Sequence, residues 1–131
     1  MRPMEWRGIL GIFLPTINRK PPRESRNPPH EEDLRRLEEL REQGSRLNVA
    51  HPVRGFLVFD AEGSARGASD LLGKEGFSCA VRSAPDGSWV LTAIVHVVPT
   101  PGALTKLREQ FEAVTAVHGG TYRGWDAPIV Y

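Results

Sequence analysis

The residues best able to do acid–base or metal chemistry in this chain are its four histidines and its single cysteine. They stand far apart in the sequence, at His30, His51, Cys79, His96 and His118. Only His96 lies in a segment typical of an interior strand, where a histidine is more often hydrogen-bonded or half-exposed than catalytic. The chemical hypothesis that this leaves open is a small metabolite-binding or hydrolytic site that uses His96 and nearby carboxylates.

The carboxylates near the ends of predicted strands and helices are Asp60, Glu62 and Glu75. Turns and helix caps commonly use carboxylates at such positions, so their placement does not by itself indicate a catalytic pair. The sequence also lacks a glycine-rich phosphate loop, a GxSxG or HExxH motif and the paired cysteines of a metal site. We therefore predict that the protein is not an enzyme and needs no metal or other cofactor.

The composition favours one folded domain. With 131 residues, the chain is long enough for a domain with a core plus an appendage, and too short for two ordinary domains. The hydrophobic share of 40% and the charged share of 25% are typical of globular proteins rather than disordered ones. A formal net charge of +1 does not indicate the strongly positive surface that is typical of nucleic-acid-binding proteins. The single cysteine favours a reducing compartment, so a cytoplasmic location is expected.

Residues 1–29 are predicted to form a flexible, basic, proline-rich arm, and residues 30–131 to form the domain. Residues 15–29 combine prolines and charges with almost no apolar side chains, which is typical of a linker. The apolar patch at residues 6–14 is interrupted by glycines and is far shorter than the roughly 20 residues of a membrane span. Whether this patch docks on the domain, on a partner or on a membrane surface stays open.

Periodicity, capping residues and turn residues predict three helices and four strands. The predicted helices cover residues 31–43, 61–73 and 101–118, and the predicted strands cover residues 53–59, 77–82, 89–98 and 121–126. After the first helix, this order is βαββαβ, which predicts an α+β fold: a ferredoxin-like two-layer sandwich with an extra N-terminal helix. Its first and third strands are expected in the middle of the sheet, with both crossover helices on one face.

The two central strands are apolar at nearly every position, which predicts burial on both of their faces. Two helices cover only one face of such a sheet, so the other face needs a second cover. The N-terminal helix, a second copy of the chain in a homodimer, or a client protein are the three candidates. The sequence does not choose among them.

Residues 54–59, RGFLVF, are similar to the basic-glycine-aromatic string with which RNA-recognition domains stack bases. In those domains the string belongs to the third strand, whereas here it lies on the first, so core packing is the favoured interpretation. Binding of single-stranded RNA stays as an alternative function. Four aromatic residues are candidate anchors for a protein partner, on the condition that they are exposed: Phe56, Phe59, Tyr122 and Trp125.

The closing segment HGGTYRGWD, residues 118–126, together with the helix after residue 30 and the segments 51–60 and 89–91, resembles the family of regulator of ribonuclease activity B. The specific part is the Gly-Gly-x-Tyr-x-Gly-Trp pattern formed by Gly119, Gly120, Tyr122, Gly124 and Trp125. The resemblance extends from about residue 31 to the end of the chain. The glycines also have a structural interpretation, as a left-handed helix exit and as a bend in the last strand.

This resemblance implies a ferredoxin-like domain that binds ribonuclease E and restrains its cleavage of RNA without chemistry of its own. Inhibitors of this family resemble acidic mimics, whereas this chain is nearly neutral and its N-terminal extension is basic. The leading hypothesis is therefore a protein-binding regulator of RNA turnover whose partner is expected to be a ribonuclease. The difference in charge between this chain and the acidic inhibitors of the family bears on which partner the chain binds.

Overall fold

The computed structural model describes residues 25–131 of the chain. The apolar patch at residues 6–14 and most of the predicted arm lie outside the described residues. The remaining part of that arm, residues 25–29, contacts the last helix of the chain: the Ser25 hydroxyl donates a hydrogen bond of 2.7 Å to the Glu109 carboxylate. The Asn27 side chain donates to the same carboxylate oxygen.

Three helices and four strands make up the described residues: α1 (Glu31–Glu42), β1 (His51–Phe59), α2 (Glu62–Lys74), β2 (Ser78–Ser83), β3 (Trp89–Val97), α3 (Pro101–His118) and β4 (Gly120–Asp126). Every predicted element is present, and no boundary differs from its prediction by more than two residues. Among these residues, no helix is long and apolar enough to cross a membrane.

The strands form one open antiparallel sheet in the order β2-β3-β1-β4, so the fold is α+β. The prediction that the first and third strands occupy the centre is confirmed. Both crossover helices contact the sheet and each other, which places them on the same face.

The core lies between the sheet and the helices. Along β1, burial alternates strictly, with Val53, Leu57 and Phe59 no more than 1% exposed on the side that faces the helices. The apolar stripe of α3 is buried against them: Leu104, Leu107, Phe111 and Val114. The start of α3 is fixed by its cap, since the Thr100 hydroxyl accepts a 3.0 Å hydrogen bond from the Ala103 amide and Pro101 follows the cap.

Within the described chain, the central strands are buried on one face only. The residues of β1 between the buried ones, such as Phe56 and Val58, are half-exposed, and Arg54 is exposed. Helix α1 does not cover them, because it packs beside α3 on the helical face. We call the uncovered surface the open face; its residues are Pro52, Arg54, Phe56, Val58, Ser78, Ala80, Arg82, Val90, Thr92, Ile94, His96, Thr121, Arg123 and Asp126.

Candidate functional site

A buried ion pair joins α1 to α3 and β4. The Asp33 carboxylate is 0% exposed and accepts hydrogen bonds of 3.1 Å and 2.8 Å from Nε and Nη2 of Arg108. It also accepts a 3.0 Å hydrogen bond from Nε1 of Trp125. The hydrogen bonds from Arg108 stabilise its charged form and raise the pKa of the guanidinium. One carboxylate therefore holds three elements together.

Aromatic rings extend this network into the core. The Arg108 guanidinium lies 5.3 Å from the centroid of the Tyr122 ring, a cation–π contact. The Tyr122 ring in turn lies 5.2 Å from that of Phe111, whose other neighbour is the Phe77 ring at 5.4 Å. Tyr122 and Trp125 thus contact the helical layer, and their rings fix the position of β4 against it.

The bulge at Gly124 explains how Tyr122 and Trp125 both face the helices. Residues three apart on a regular strand point to opposite faces of the sheet. Here Tyr122 pairs with Leu57 and Trp125 pairs with Gly55, so three steps along β4 match two steps along β1. Gly124 takes the positive φ of 106° that this extra residue requires. The glycine therefore brings both rings to the same side.

The two adjacent glycines of the motif act in different ways. Gly119 adopts the left-handed conformation, with φ of 75°, at the C-cap of α3, as predicted. Gly120 has no such φ; instead, a Cβ built there would lie 2.4 Å from the Phe59 ring and 2.8 Å from the Val58 carbonyl oxygen. The first glycine is needed for its backbone angle, and the second for the close approach of a ring.

Tyr122 provides a test of this environment at high pH. Burial and the Asp33 charge disfavour the phenolate and raise the pKa of Tyr122. The unfolded chain ionises a tyrosine near about 10, so it loses this proton first. The stability due to the neutral phenol is therefore complete below about pH 10 and is lost as pH rises further, by up to about 1.4 kcal/mol per unit.

We expect the free energy of unfolding, measured by urea denaturation from pH 9 upward, to fall more steeply for the natural protein than for Tyr122→Phe. Parallel curves for the two proteins would contradict the buried environment of this phenol.

The open face lies on the other side of the same sheet and presents a different chemistry. Its centre is apolar, with Val58 paired to Val90 on the neighbouring strand and Phe56 paired to Thr92. The Arg54 guanidinium lies 5.3 Å from the centroid of the Phe56 ring. These side chains project from central strands that are hydrogen-bonded on both sides, so their positions are fixed by the sheet.

A cavity of about 350 Å³ opens at one end of this face. Arg54 and Asp126 form part of its wall and bind each other through two hydrogen bonds of 2.9 Å and 2.8 Å. The other lining residues are apolar: Pro52, Ile94, Ala127 and Pro128. The cavity suits an apolar side chain, and its polar wall is already paired.

The comparison with protein families assigns the chain. The sequence model described as regulator of ribonuclease activity B matches residues 30–127. The chain belongs to this family. A comparison with curated proteins found no match. The name of the regulator of ribonuclease activity B family states its role, which is to regulate a ribonuclease, and such a role implies a protein partner.

The region matched to the regulator of ribonuclease activity B family contains the whole Asp33–Arg108–Trp125 network. Sequence reasoning missed Asp33 and Arg108. One signal was available, since Asp33 stands four and seven residues before Leu37 and Leu40 and so shares their buried side of α1. The adjacent Leu34, by contrast, is 43% exposed.

The four candidate anchors of this family member separate into two groups. Phe56 is half-exposed on the open face and meets the condition of exposure. Phe59 is 1% exposed and Trp125 is 4% exposed, so both belong to the core, and Tyr122 is partly buried beside Arg108. Core packing, the favoured interpretation for residues 54–59, thus applies to Phe59 and not to Phe56.

The histidines and carboxylates of this family member remain dispersed after folding. His96 pairs with Pro52 at the start of β1, whereas Asp60 follows the end of the same strand, about 26 Å away at the usual rise per residue. His51 is buried, and its ring bonds the Ser45 hydroxyl at 2.6 Å and the Val49 carbonyl at 2.9 Å. Within residues 25–131, no group of three potential ligands could hold a metal ion.

Proposed function

We propose that this chain is a non-catalytic regulator that binds a ribonuclease of the ribonuclease E type and restrains RNA cleavage by covering part of its surface. The observation that carries this proposal is the open face, whose apolar centre no described element of the chain covers. The membership of the regulator of ribonuclease activity B family supports the class of partner.

The open face has the physical properties of a docking surface. Phe56, Val58 and Val90 are only half-buried in the free chain, so a partner gains from covering them at about 25 cal/mol per Å² of apolar area. Because these side chains stand on a hydrogen-bonded sheet, little of that gain is lost to ordering them. An inhibitor that acts by occlusion needs such a surface and no reacting group.

The arrangement of the chain also supports the finer assignment of its fold. The order β2-β3-β1-β4, with a helix between β1 and β2 and another between β3 and β4, is the order expected of a ferredoxin-like sandwich. We propose this assignment for residues 30–131, with α1 added on the helical face and residues 1–29 as an arm.

Phe56→Ala should weaken binding to the ribonuclease. Phe56 is the aromatic residue on the open face of the described chain, and loss of a central aromatic anchor typically costs 2 kcal/mol or more. We therefore expect Kd for purified ribonuclease E to rise about tenfold or more, measured by isothermal titration calorimetry. Inhibition of the cleavage of a fluorescent RNA should fall in parallel.

The matched control is Leu34→Ala, which removes an exposed apolar side chain from α1 on the other side of the molecule. It should leave both Kd and inhibition unchanged. The proposal fails if the natural protein neither binds the ribonuclease nor slows the cleavage. It also fails in its choice of surface if Leu34→Ala weakens binding and Phe56→Ala does not.

A further inference from the structure

The charges of the open face are unbalanced. Its strands carry three arginines, Arg54, Arg82 and Arg123, and one carboxylate, Asp126. Arg54 already pairs with Asp126 through two hydrogen bonds, so this carboxylate is engaged. The excess positive charge of these strands therefore comes from two exposed arginines, Arg82 and Arg123. The Asp86 carboxylate, in the hairpin between β2 and β3, interacts with Arg123 and reduces this excess without cancelling it.

The positions of these two arginines matter as much as their charge. Arg82 pairs with Val90 on the β2 side of the apolar centre. Arg123 follows Tyr122, which faces the helices, so by the alternation of the strand its side chain is on the open face, on the β4 side. The apolar centre around Val58 and Phe56 therefore lies between two cationic positions on the two edge strands.

We infer that the open face binds an acidic segment of the partner protein. Carboxylates of this segment pair with Arg82 and Arg123, its apolar side chains cover Phe56 and Val58, and one of them enters the cavity beside Pro52. This inference rests on the proposed function and adds the chemistry of the partner. Complementary charges of this kind determine which partner is accepted and how fast it associates.

The same charges disfavour the chain itself as the occupant. Residues 1–24 contain five basic residues and two acidic ones, so this segment and the two arginines repel each other. A second copy of the chain would place a positively charged surface against an identical surface. In both cases the like charges oppose the contact that the apolar centre favours.

RNA is complementary to the positive charge of the open face, but its bases do not fit the aliphatic centre of that face. Sheets that read single-stranded RNA stack two or three bases on exposed aromatic rings. Within the described residues, the open face has one aromatic ring, Phe56, and Arg54 lies over it. The other central side chains are aliphatic or small, such as Val58, Val90 and Ile94. Aliphatic side chains pack well against apolar residues of a protein and provide no platform for a base.

The test uses the full chain and a fluorescent synthetic peptide in which glutamates alternate with leucine and phenylalanine. A second peptide carries glutamine at every glutamate position, and an oligouridylate represents RNA. We expect the glutamate peptide to bind at least tenfold more tightly than the glutamine peptide in low salt, by fluorescence anisotropy. Its binding should weaken as salt is added.

Charge reversal identifies the surface. The double variant Arg82→Glu and Arg123→Glu should weaken binding of the glutamate peptide about tenfold or more. The control, Arg46→Glu, reverses one charge at an exposed loop residue before β1, the same change as either single reversal on the open face, and should change Kd by less than twofold. Circular dichroism of all three proteins checks that they are folded.

Each other outcome overturns the inference. Preference for the glutamine peptide, or equal loss with Arg46→Glu, removes the acidic segment as the occupant. Tighter binding of the oligouridylate, lost on reversal of Arg82 and Arg123, assigns the face to RNA. Self-association in sedimentation velocity that disappears with Phe56→Ala assigns it to a second copy.

The inference and the proposed function fail separately. If the peptide does not bind but ribonuclease binding still depends on Phe56, the chemistry of the partner is wrong and the proposed function stands. If the ribonuclease does not bind at all, the proposed function is wrong, whatever the peptide does.

Discussion

Asp33→Ala should lower the free energy of unfolding by about 3–5 kcal/mol, as expected when one partner of a buried ion pair is removed. The change leaves the Arg108 guanidinium, whose side chain is 15% exposed, with only a 3.7 Å contact to the exposed carboxylate of Glu112. It also leaves the Trp125 indole N–H without its acceptor. Because Asp33 joins α1, α3 and β4, the loss should loosen all three. Urea denaturation monitored by tryptophan fluorescence measures the effect.

The control is Glu32→Ala, the neighbouring acid in the same first turn of α1. The Glu32 side chain is 46% exposed and pairs with Arg35 at the surface, an interaction worth less than about 1 kcal/mol. Both variants lose one negative charge near the helix N-terminus, so a difference between them reports burial. Equal midpoints of unfolding for the two variants would show that the Asp33 network contributes no special stability.

A double-mutant cycle separates the pair from its neighbours. If Asp33 and Arg108 act on each other, Asp33→Ala with Arg108→Ala should cost less than the sum of the single changes, since neither charge is then left buried alone. Additive costs would instead assign the effect of Asp33 to its contact with Trp125.

Gly120→Ala should lower the free energy of unfolding by about 3 kcal/mol, at the upper end of the usual range for overpacking. The added Cβ would lie 2.4 Å from Cε1 of Phe59, and that ring is 1% exposed with no room to turn aside. It would also lie 2.8 Å from the Val58 carbonyl oxygen, which belongs to the backbone of a central strand. Strand β4 would have to move away from β1.

Two other glycines serve as controls in the same denaturation experiment. A Cβ added at Gly119 has no neighbouring atom within 4 Å. Gly119→Ala should therefore lower the free energy of unfolding only by the cost of the left-handed backbone conformation, about 1 kcal/mol. Gly73→Ala, in α2, also meets nothing within 4 Å and should be neutral or stabilising by up to about 1 kcal/mol. If Gly119→Ala is more damaging than Gly120→Ala, the close approach of Phe59 is not what requires the glycine.

Membership of the family was predicted from the closing motif, and the family comparison confirms it. The structural role of each residue in the motif was only partly predictable from the sequence. A glycine after a helix indicates a left-handed cap through its position alone, as at Gly119. The requirement for Gly120 depends on Phe59, sixty-one residues earlier in the chain, whose ring meets it only after β1 and β4 have paired.

The sequence predicted that one face of the sheet needs a second cover, but it did not show whether the chain itself supplies that cover. The apolar run of β1 has the composition of a strand that is covered on both sides. Composition alone does not show how many layers of the same chain pack on the sheet. Only the position of α1 decides this, and that position depends on the long-range contacts of Asp33 with Arg108 and Trp125. With α1 held on the helical face, Phe56 stays half-exposed.

The sequence by itself determined the elements of this protein and their order, because hydrophobic period, caps and turn residues act over a few neighbouring positions. It also determined the central place of β1 and β3, since few topologies satisfy that order of elements. The tertiary structure alone decided which aromatic residues are buried and which face is open. It also showed that Arg82 and Arg123 lie on that face, on opposite sides of its apolar centre. These facts depend on pairings between distant segments, and no local pattern of residues encodes them.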